Sequence, residues 1–203
     1  MQLPVLYSYR RCPYAMRARM ALSVAEIAVE MREISLRDKP AHMLQVSPKG
    51  TVPILVLQDG TVIEQSLDIM LWALQQHDPE GWLHANYAQA MQLIESNDGD
   101  FKQALDRYKY PERYPEYPQT EYRARGELFL QQLENALQAQ PYLLGQQASV
   151  ADIAIFPFIR QFAAVDAAWF LQSPYVALAR WLEGWVQSDL FTNIMQKYPV
   201  YQS

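Results

Sequence analysis

The stretch Leu3-Pro4-Val5-Leu6-Tyr7-Ser8-Tyr9-Arg10-Arg11-Cys12-Pro13-Tyr14-Ala15 decides the reading of the fold. Leu3 to Tyr7 is a short apolar run bounded by polar residues, which suits a buried strand. Pro13 stands where a first helical residue belongs, its angle preset and its missing N–H costing nothing there. Ala15 to Ile27 holds mostly good helix formers and no breaker. Met16, Met20 and Val24 recur at i, i+4 and i+8 and give that helix an apolar side. Cys12 therefore falls between a strand and a helix, at or beside the helix N-cap. Unpaired backbone N–H groups and the helix dipole favour negative charge there, and a thiolate is the reactive form of a thiol. Arg10, Arg11, Arg17 and Arg19 can all add positive potential. The other reading is that a lone Cys is a small buried hydrophobe, which is commoner.

Composition narrows the class. The chain has 203 residues, enough for one large domain or two small ones, and 50% of them are hydrophobic, so a sizeable core is available. The net charge is -5 with no basic tract, which argues against nucleic acid as a partner. No apolar stretch approaches a membrane span. The N-terminus lacks the charged and apolar regions of a signal peptide, and a single Cys allows no internal disulfide. Both set a reducing, cytoplasmic location as the expectation. His42, His77 and His84 are scattered, so no metal site is expected. Of the 17 Lys and Arg and 22 Asp and Glu, residues 1–77 hold 8 and 7, leaving 9 and 15 for the rest. A small anion would find the first part more welcoming.

In order, Val29 to Ile34 reads as a second strand and Ala41 to Val46 as one or two helical turns. Ser47-Pro48-Lys49-Gly50 is a turn signal. Thr51 to Leu57 is a strand, Asp59-Gly60 a two-residue hairpin turn, and Thr61 to Ile63 its partner. Gln65-Ser66 opens a helix to about His77, with Ser66 as N-cap. Asp78-Pro79-Glu80-Gly81 breaks the pattern. Beyond it strand signals stop. Tyr87 to Tyr108 has helical spacing weakened at Asn97-Asp98-Gly99-Asp100, residues 110–118 form a proline-rich loop, and Tyr122 to Leu137 is helical. Ser149-Val150-Ala151-Asp152 is a variant capping box before an apolar helix containing Pro157. The expected division is a domain at 1–77, a linker at 78–85 and an all-helical domain at 86–203.

Four stretches in this order resemble the cytosolic glutathione transferase superfamily. The resemblance is to its cysteine-type, omega-like members and to two-domain glutaredoxins. Cys12-Pro13-Tyr14-Ala15 is similar to the omega type's Cys-Pro-Phe-Ala. Leu36-Arg37-Asp38-Lys39-Pro40 is similar to the segment with its glutathione-binding lysine. Ser47-Pro48-Lys49-Gly50-Thr51-Val52-Pro53 resembles the family's Pro-x-Gly-x-Val-Pro segment, whose second proline is cis. Gln65-Ser66-Leu67-Asp68-Ile69 resembles its Glu/Gln-Ser-x-x-Ile motif. The fold this implies is an α/β thioredoxin-like N-terminal domain, βαβαββα, followed by an all-α C-terminal helical domain.

The same resemblance assigns roles. Cys12 is the catalytic nucleophile, with Pro13 and Tyr14 supporting the helix start. Glutathione is the cosubstrate, held by Lys39, by the backbone of Val52 beside cis Pro53, and by Gln65 and Ser66. An extended peptide could pair with the Val52 N–H and C=O as an added strand does, and a helix N-terminus suits a carboxylate. Taken alone, Val52-Pro53 is an edge-strand start, Ser66 an N-cap and Lys39 a solvated lysine. Glu64 adjoins Gln65, so the motif's register could be off by one. The implied reaction is reduction of glutathione mixed disulfides, with small thiols, disulfides or electrophiles as partners and a homodimer as assembly. Two alternatives remain open: a conjugating transferase assisted by Tyr7 or Tyr9, and a non-catalytic glutathione-binding regulator. The run from Tyr108 to Pro118, with four tyrosines, could line an acceptor pocket or simply be a surface loop. Asp152 reads as a helix cap.

Overall fold

The computed structural model describes residues 3–84 and 86–202. It divides into two compact units: residues up to Glu80 together with those from Ser188 onward, and Gly81–Gln187. Ala85 of the expected linker, and residues 1, 2 and 203 at the ends of the expected domains, lie outside the described residues.

The first unit is built on a four-stranded sheet. The strands are β1 (Val5–Ser8), β2 (Glu30–Glu33), β3 (Ile54–Val56) and β4 (Val62–Ile63). Their order is β2-β1-β3-β4, with β1 parallel to β2 and antiparallel to β3. β1 is buried along its whole length, as a central strand covered on both faces should be. Strand alternation sends Val5 and Tyr7 to one face, where they pack with Ile34, Met43 and Ile54. Leu6 and Ser8 point to the other. The N-terminal part of the unit adds three helices: α1 (Pro13–Val24), α2 (Ala41–Val46) and α3 (Ser66–Gln76). α1 stops short of the expected Ile27 because the chain turns through a left-handed Glu26, φ 56°. The β3–β4 connection runs over five residues, 57–61, and the loop inside its Leu57–Thr61 pair has three residues, not two. Leu57 N–H bonds Thr61 O, and Gly60 sits at φ 87°, a conformation that favours glycine.

The second unit is helical. It contains α4 (Tyr87–Ser96), a π-helical turn (Asn97–Phe101), α5 (Lys102–Lys109), a 3-10 turn (Pro111–Arg113), α6 (Gln119–Ala139), α7 (Val150–Ala163), α8 (Ala167–Gln172) and α9 (Val176–Gln187). The π turn falls on the Asn97-Asp98-Gly99-Asp100 interruption of the helical pattern. α7 is buried on almost every side, as a helix apolar all round must be. Phe162 from α7 packs on Phe101 and Tyr108, ring centres 5.5 and 4.8 Å apart. The capping box forms: Asp152 accepts from the Ser149 N–H at 2.9 Å, and Ser149 from the helix.

The compact units and the expected domain limits differ in two places. Trp82, expected in a linker, is buried in the second unit, where its carbonyl accepts from Val150 N–H at 3.1 Å. Residues from Ser188 onward, expected in the helical domain, belong to the first unit. There α10 (Asp189–Ile194) packs on α1. Tyr201 N–H bonds Glu33 O at 2.8 Å, and Val200 forms an isolated bridge to Glu33. β2 is the sheet edge, with unpaired backbone groups that a returning segment can satisfy. Helical spacing at 191–198 carries no information about which unit the helix packs on.

Candidate active site

Cys12 is the N-cap of α1, extended at φ -75° and ψ 122°, with Pro13 buried at the first helical position. Its own N–H closes a turn onto Tyr9 O at 3.0 Å. The thiol is half-buried and donates to the Val52 carbonyl oxygen, Sγ to O 3.8 Å. The Val52-Pro53 peptide bond is cis. So residues 40 apart in sequence meet: the thiol and the strand-like edge at Val52. Lys39 reaches the same loop, its Nζ 3.2 Å from where a Cβ on Gly50 would stand. Gly50, at φ 60°, is therefore constrained twice, by backbone angle and by close approach.

α3 begins one residue earlier than the sequence reading had it as a cap. Gln65, exposed and extended, is the N-cap, and Ser66 is the first helical residue. Ser66 is buried and its hydroxyl accepts from Arg17 Nε at 3.0 Å. Arg17 is 2% exposed, and its guanidinium lies 5.1 Å from the Tyr14 ring centre. Arg17 thus ties the start of α1 to the start of α3. Glu64 is engaged away from the helix start, its two oxygens taken by Ser47 Oγ at 2.5 Å and Lys49 Nζ at 3.4 Å. The Ser47 hydroxyl, then Lys49, holds the Glu64 carboxyl below its ordinary value. Gln65 and Ser66, not Glu64, stand at the helix start.

Arg19 carries a second buried guanidinium, 4% exposed. It donates to Ser8 Oγ and to Arg10 O, both at 2.8 Å. Burial pulls it down to about 10, against which the charges of Glu33 and Cys12 act. Sequence reading named Arg17 and Arg19 as sources of positive potential but missed that both are enclosed. The available signal was their setting: Ala15, Met16, Ala18, Met20, Ala21 and Leu22 surround them, so α1 has little polar face to offer. An arginine on a helix buried all round must find acceptors. Glu33 was missed altogether, lying in a stretch, Val29 to Ile34, that reads only as a strand.

Tyr7 is committed elsewhere. Its hydroxyl lies 2.6 Å from His42 Nδ1 and accepts from Arg32 Nη1 at 2.8 Å, on the sheet face opposite Ser8 and Arg19. Burial raises its pKa, and Arg32 works the other way. Tyr9 packs against the Val5–Tyr7–Ile54 cluster. The tyrosines of 108–118 are largely stacked under cations within the second unit, Arg113 on Tyr110 and Arg125 on Tyr117, both at 4.4 Å. Among the described residues, no group of three or more His, Cys, Asp or Glu lies together as a metal site would need. None of the described helices is long and apolar enough to cross a membrane.

A thioredoxin-like α/β unit with a cysteine at its first helix start, joined to an all-helical unit, defines a class of two-domain proteins. The sequence comparisons place it within that class. Residues 6–81 match the glutathione S-transferase N-terminal domain, and residues 102–184 match the glutathione S-transferase C-terminal domain. The chain belongs to the cytosolic glutathione transferase superfamily. A probable cytosolic glutathione S-transferase DHAR1 from Oryza sativa subsp. japonica is 30% identical over 160 residues, 72% of this chain and 64% of that protein. A probable glutathione transferase from Aplysia californica is 36% identical over 55 residues, 27% of this chain and 60% of that protein. Glutathione S-transferase omega-1 of Mus musculus is 36% identical over 62 residues, 30% of this chain and 26% of that protein. The matched stretches thus span less than two thirds of these relatives. A Pseudomonas fluorescens family member solved with two glutathione molecules superposes with TM-score 0.81 at 18% identity, covering 96% of this chain and 92% of that one. BphK, a bacterial enzyme of the same kind, gives TM-score 0.81 at 24% identity, with 94% and 96% covered. These two establish the shared fold.

Proposed function

We propose that the chain is a glutathione-dependent thiol transferase with Cys12 as nucleophile. The observation that carries this reading is the meeting of the Cys12 thiol with the Val52 carbonyl beside cis Pro53. One spot offers a nucleophile and a backbone edge on which an extended cysteinyl peptide can lie. Glutathione's cysteinyl N–H would take the Val52 oxygen, releasing the thiol from a contact that only its protonated form can make. Lys39 and the α3 start at Gln65 and Ser66 would receive its two carboxylates. The relatives named above supply glutathione as the cosubstrate of this reading.

The Cys12 thiolate attacks the glutathione sulfur of a mixed disulfide. The other partner leaves as a thiolate and takes up a proton, and Cys12 is left in a disulfide with glutathione. A second glutathione thiolate attacks the glutathione sulfur of that disulfide. Oxidised glutathione leaves and Cys12 is restored. With one Cys in the chain, the resolving thiol must come from outside. Small thiols, disulfides or electrophiles as second substrates, a homodimer and a cytoplasmic location complete the reading. The Tyr7 contacts weigh against tyrosine assistance, since its hydroxyl is already engaged by His42 and Arg32.

Mass spectrometry after incubation with oxidised glutathione tests it. One glutathionyl adduct on Cys12 is expected, and Cys12→Ser should lose both adduct and exchange while staying folded. No adduct on the wild type would leave a binding protein. Wild-type rates in Cys12→Ser would return a tyrosine to the front.

A further inference from the structure

The turn that presents Cys12 is held in an unusual way. Arg10 lies two residues before the thiol, inside the turn closed by Cys12 N–H and Tyr9 O. Its N–H donates to Glu33 Oε1 at 2.7 Å. Its C=O accepts from Arg19 Nη2 at 2.8 Å. One residue's backbone is therefore gripped on both sides by charged side chains, and Glu33 and Arg19 are only 8% and 4% exposed. Both grips are braced from the C-terminal segment. Tyr201 N–H bonds the Glu33 carbonyl at 2.8 Å, and Met195 Sδ lies 3.8 Å from Arg19 Nη2.

Stability alone does not explain this arrangement. Taking two charges out of water is costly, and apolar residues of similar size often serve a core better. Buried charges spent on the backbone of a single turn residue instead restrict geometry. The helix-start field falls off within one turn, so a thiol benefits from it only while held at the N-cap. We infer that Glu33 and Arg19 are positioning residues for Cys12, fixing the Tyr9–Cys12 turn so that the thiolate stays at the start of α1. This rests on the proposed role of Cys12 as nucleophile and adds the groups that aim it.

The readout is the pH midpoint of Cys12 alkylation by iodoacetamide, measured on the full chain. Arg19 interacts through charge with Glu33, Cys12, Arg10 and Tyr198, so all but the substituted residue stay native. Simple electrostatics and positioning give opposite signs at Glu33. Removing a negative charge near the thiol lowers the midpoint in both Glu33→Gln and Glu33→Ala. Positioning separates them. Glu33→Gln keeps an acceptor for Arg10 N–H, so its midpoint stays at or below wild type. Glu33→Ala frees the turn and raises it by about one pH unit, or about tenfold less thiolate well below the midpoint. Coincident midpoints in the two variants would overturn the inference. Arg19→Lys provides a second arm should Glu33→Ala not fold. It keeps the charge but cannot fork between Ser8 and Arg10, so the midpoint should again rise, and an unchanged one would overturn the inference. The wild type separates this from the parent reading. An ordinary wild-type midpoint near 8.5 with no glutathionyl adduct would defeat the nucleophile itself. An adduct on the wild type with coincident Glu33 variants would defeat only the positioning.

Discussion

The two units bury charge for different ends. In the second, the buried carboxylates are saturated. Asp152 accepts from Leu143 N–H, Ser149 N–H, Ser149 Oγ and Trp181 Nε1, at 2.9–3.0 Å. Glu134 accepts from the Ala177 and Leu178 N–H groups at the start of α9, at 3.2 and 2.8 Å. These acids tie helix ends and neighbouring backbone, and they present no reactive group. In the first unit, the buried Arg17 and Arg19 hold the edges of a place where Cys12, Val52 and Lys39 remain half-buried. The balance of buried charge differs as well: the first unit buries Arg17 and Arg19 against one acid, Glu33, whereas Glu134 and Asp152 are the charged side chains buried in the second, among the described residues. Cations around Cys12 suit a thiolate and an anionic ligand, whereas acids at helix starts suit the dipole and little else.

The largest stability effect should come from the saturated side. Asp152→Ala leaves four donors without their acceptor in a fully buried place. Losing several hydrogen bonds to a charged group should cost more than about 3 kcal/mol in urea denaturation. The folded fraction should still form the Cys12 adduct. A loss below about 1 kcal/mol would mean that Asp152 is no hub. Next, Gln65→Ala with Ser66→Ala probes the other side. Glutathione affinity by calorimetry should fall at least about tenfold, or about 1.4 kcal/mol, alongside a stability loss of about 1–3 kcal/mol where the buried Arg17 Nε loses its Ser66 acceptor. Unchanged affinity in the folded double variant would remove the α3 start from the site.

The contrast was partly legible in the sequence. The strand–Cys–Pro–helix order, the turn at Ser47 to Gly50 and the switch from strand to helix signals after residue 78 are local, and local patterns survive folding. The Ser149–Asp152 box was readable for the same reason: its partners lie three residues apart. What was not legible is pairing over distance. Arg17 meets Ser66 across 49 residues, and Arg10 meets Glu33 across 23. Nothing in either neighbourhood names the other. The return of the C-terminal segment to β2 was hidden too, because an edge strand advertises need but not its supplier. Lys39 and Val52 were reached through family resemblance, since a lysine in a polar connection looks like any solvated lysine.

Packing in the second unit offers a smaller effect. Gly126 sits inside α6, where alanine ordinarily stabilises by up to about 1 kcal/mol. Here an added Cβ would stand 2.5 Å from Phe162 Cε2 and 3.0 Å from its Cζ. That ring is wedged against Phe101, Tyr108 and Trp169, so it has little room to yield. Gly126→Ala should therefore destabilise by about 1–2 kcal/mol through overpacking. A stabilised variant would show that the aromatic core is looser than its ring contacts imply.

The smallest effect returns to the sign of charge, read through two tyrosines. Burial raises the pKa of both Tyr7 and Tyr175. In the first unit, Arg32 donates to the Tyr7 hydroxyl and acts against that rise. In the second, the Tyr175 hydroxyl donates to Glu127 Oε2 at 2.9 Å, and the carboxylate adds to the rise, pushing the phenol up to about 12. A phenol whose folded pKa lies above its unfolded value of about 10 stays protonated longer in the fold. Its contribution is present in full below pH 10 and is lost as pH climbs from 10 through 12. Tyr175→Phe should cost about 1 kcal/mol at pH 7 for the lost hydrogen bond. Denaturation midpoints should then decline less steeply above pH 10 than in the wild type, and the phenolate absorbance titration should lose its component near pH 12. Tyr7→Phe should leave that last component in place. If Tyr175→Phe kept both the steep decline and the late component, the acid beside Tyr175 would not be setting its ionisation, and the contrast in sign between the two units would fail at this pair.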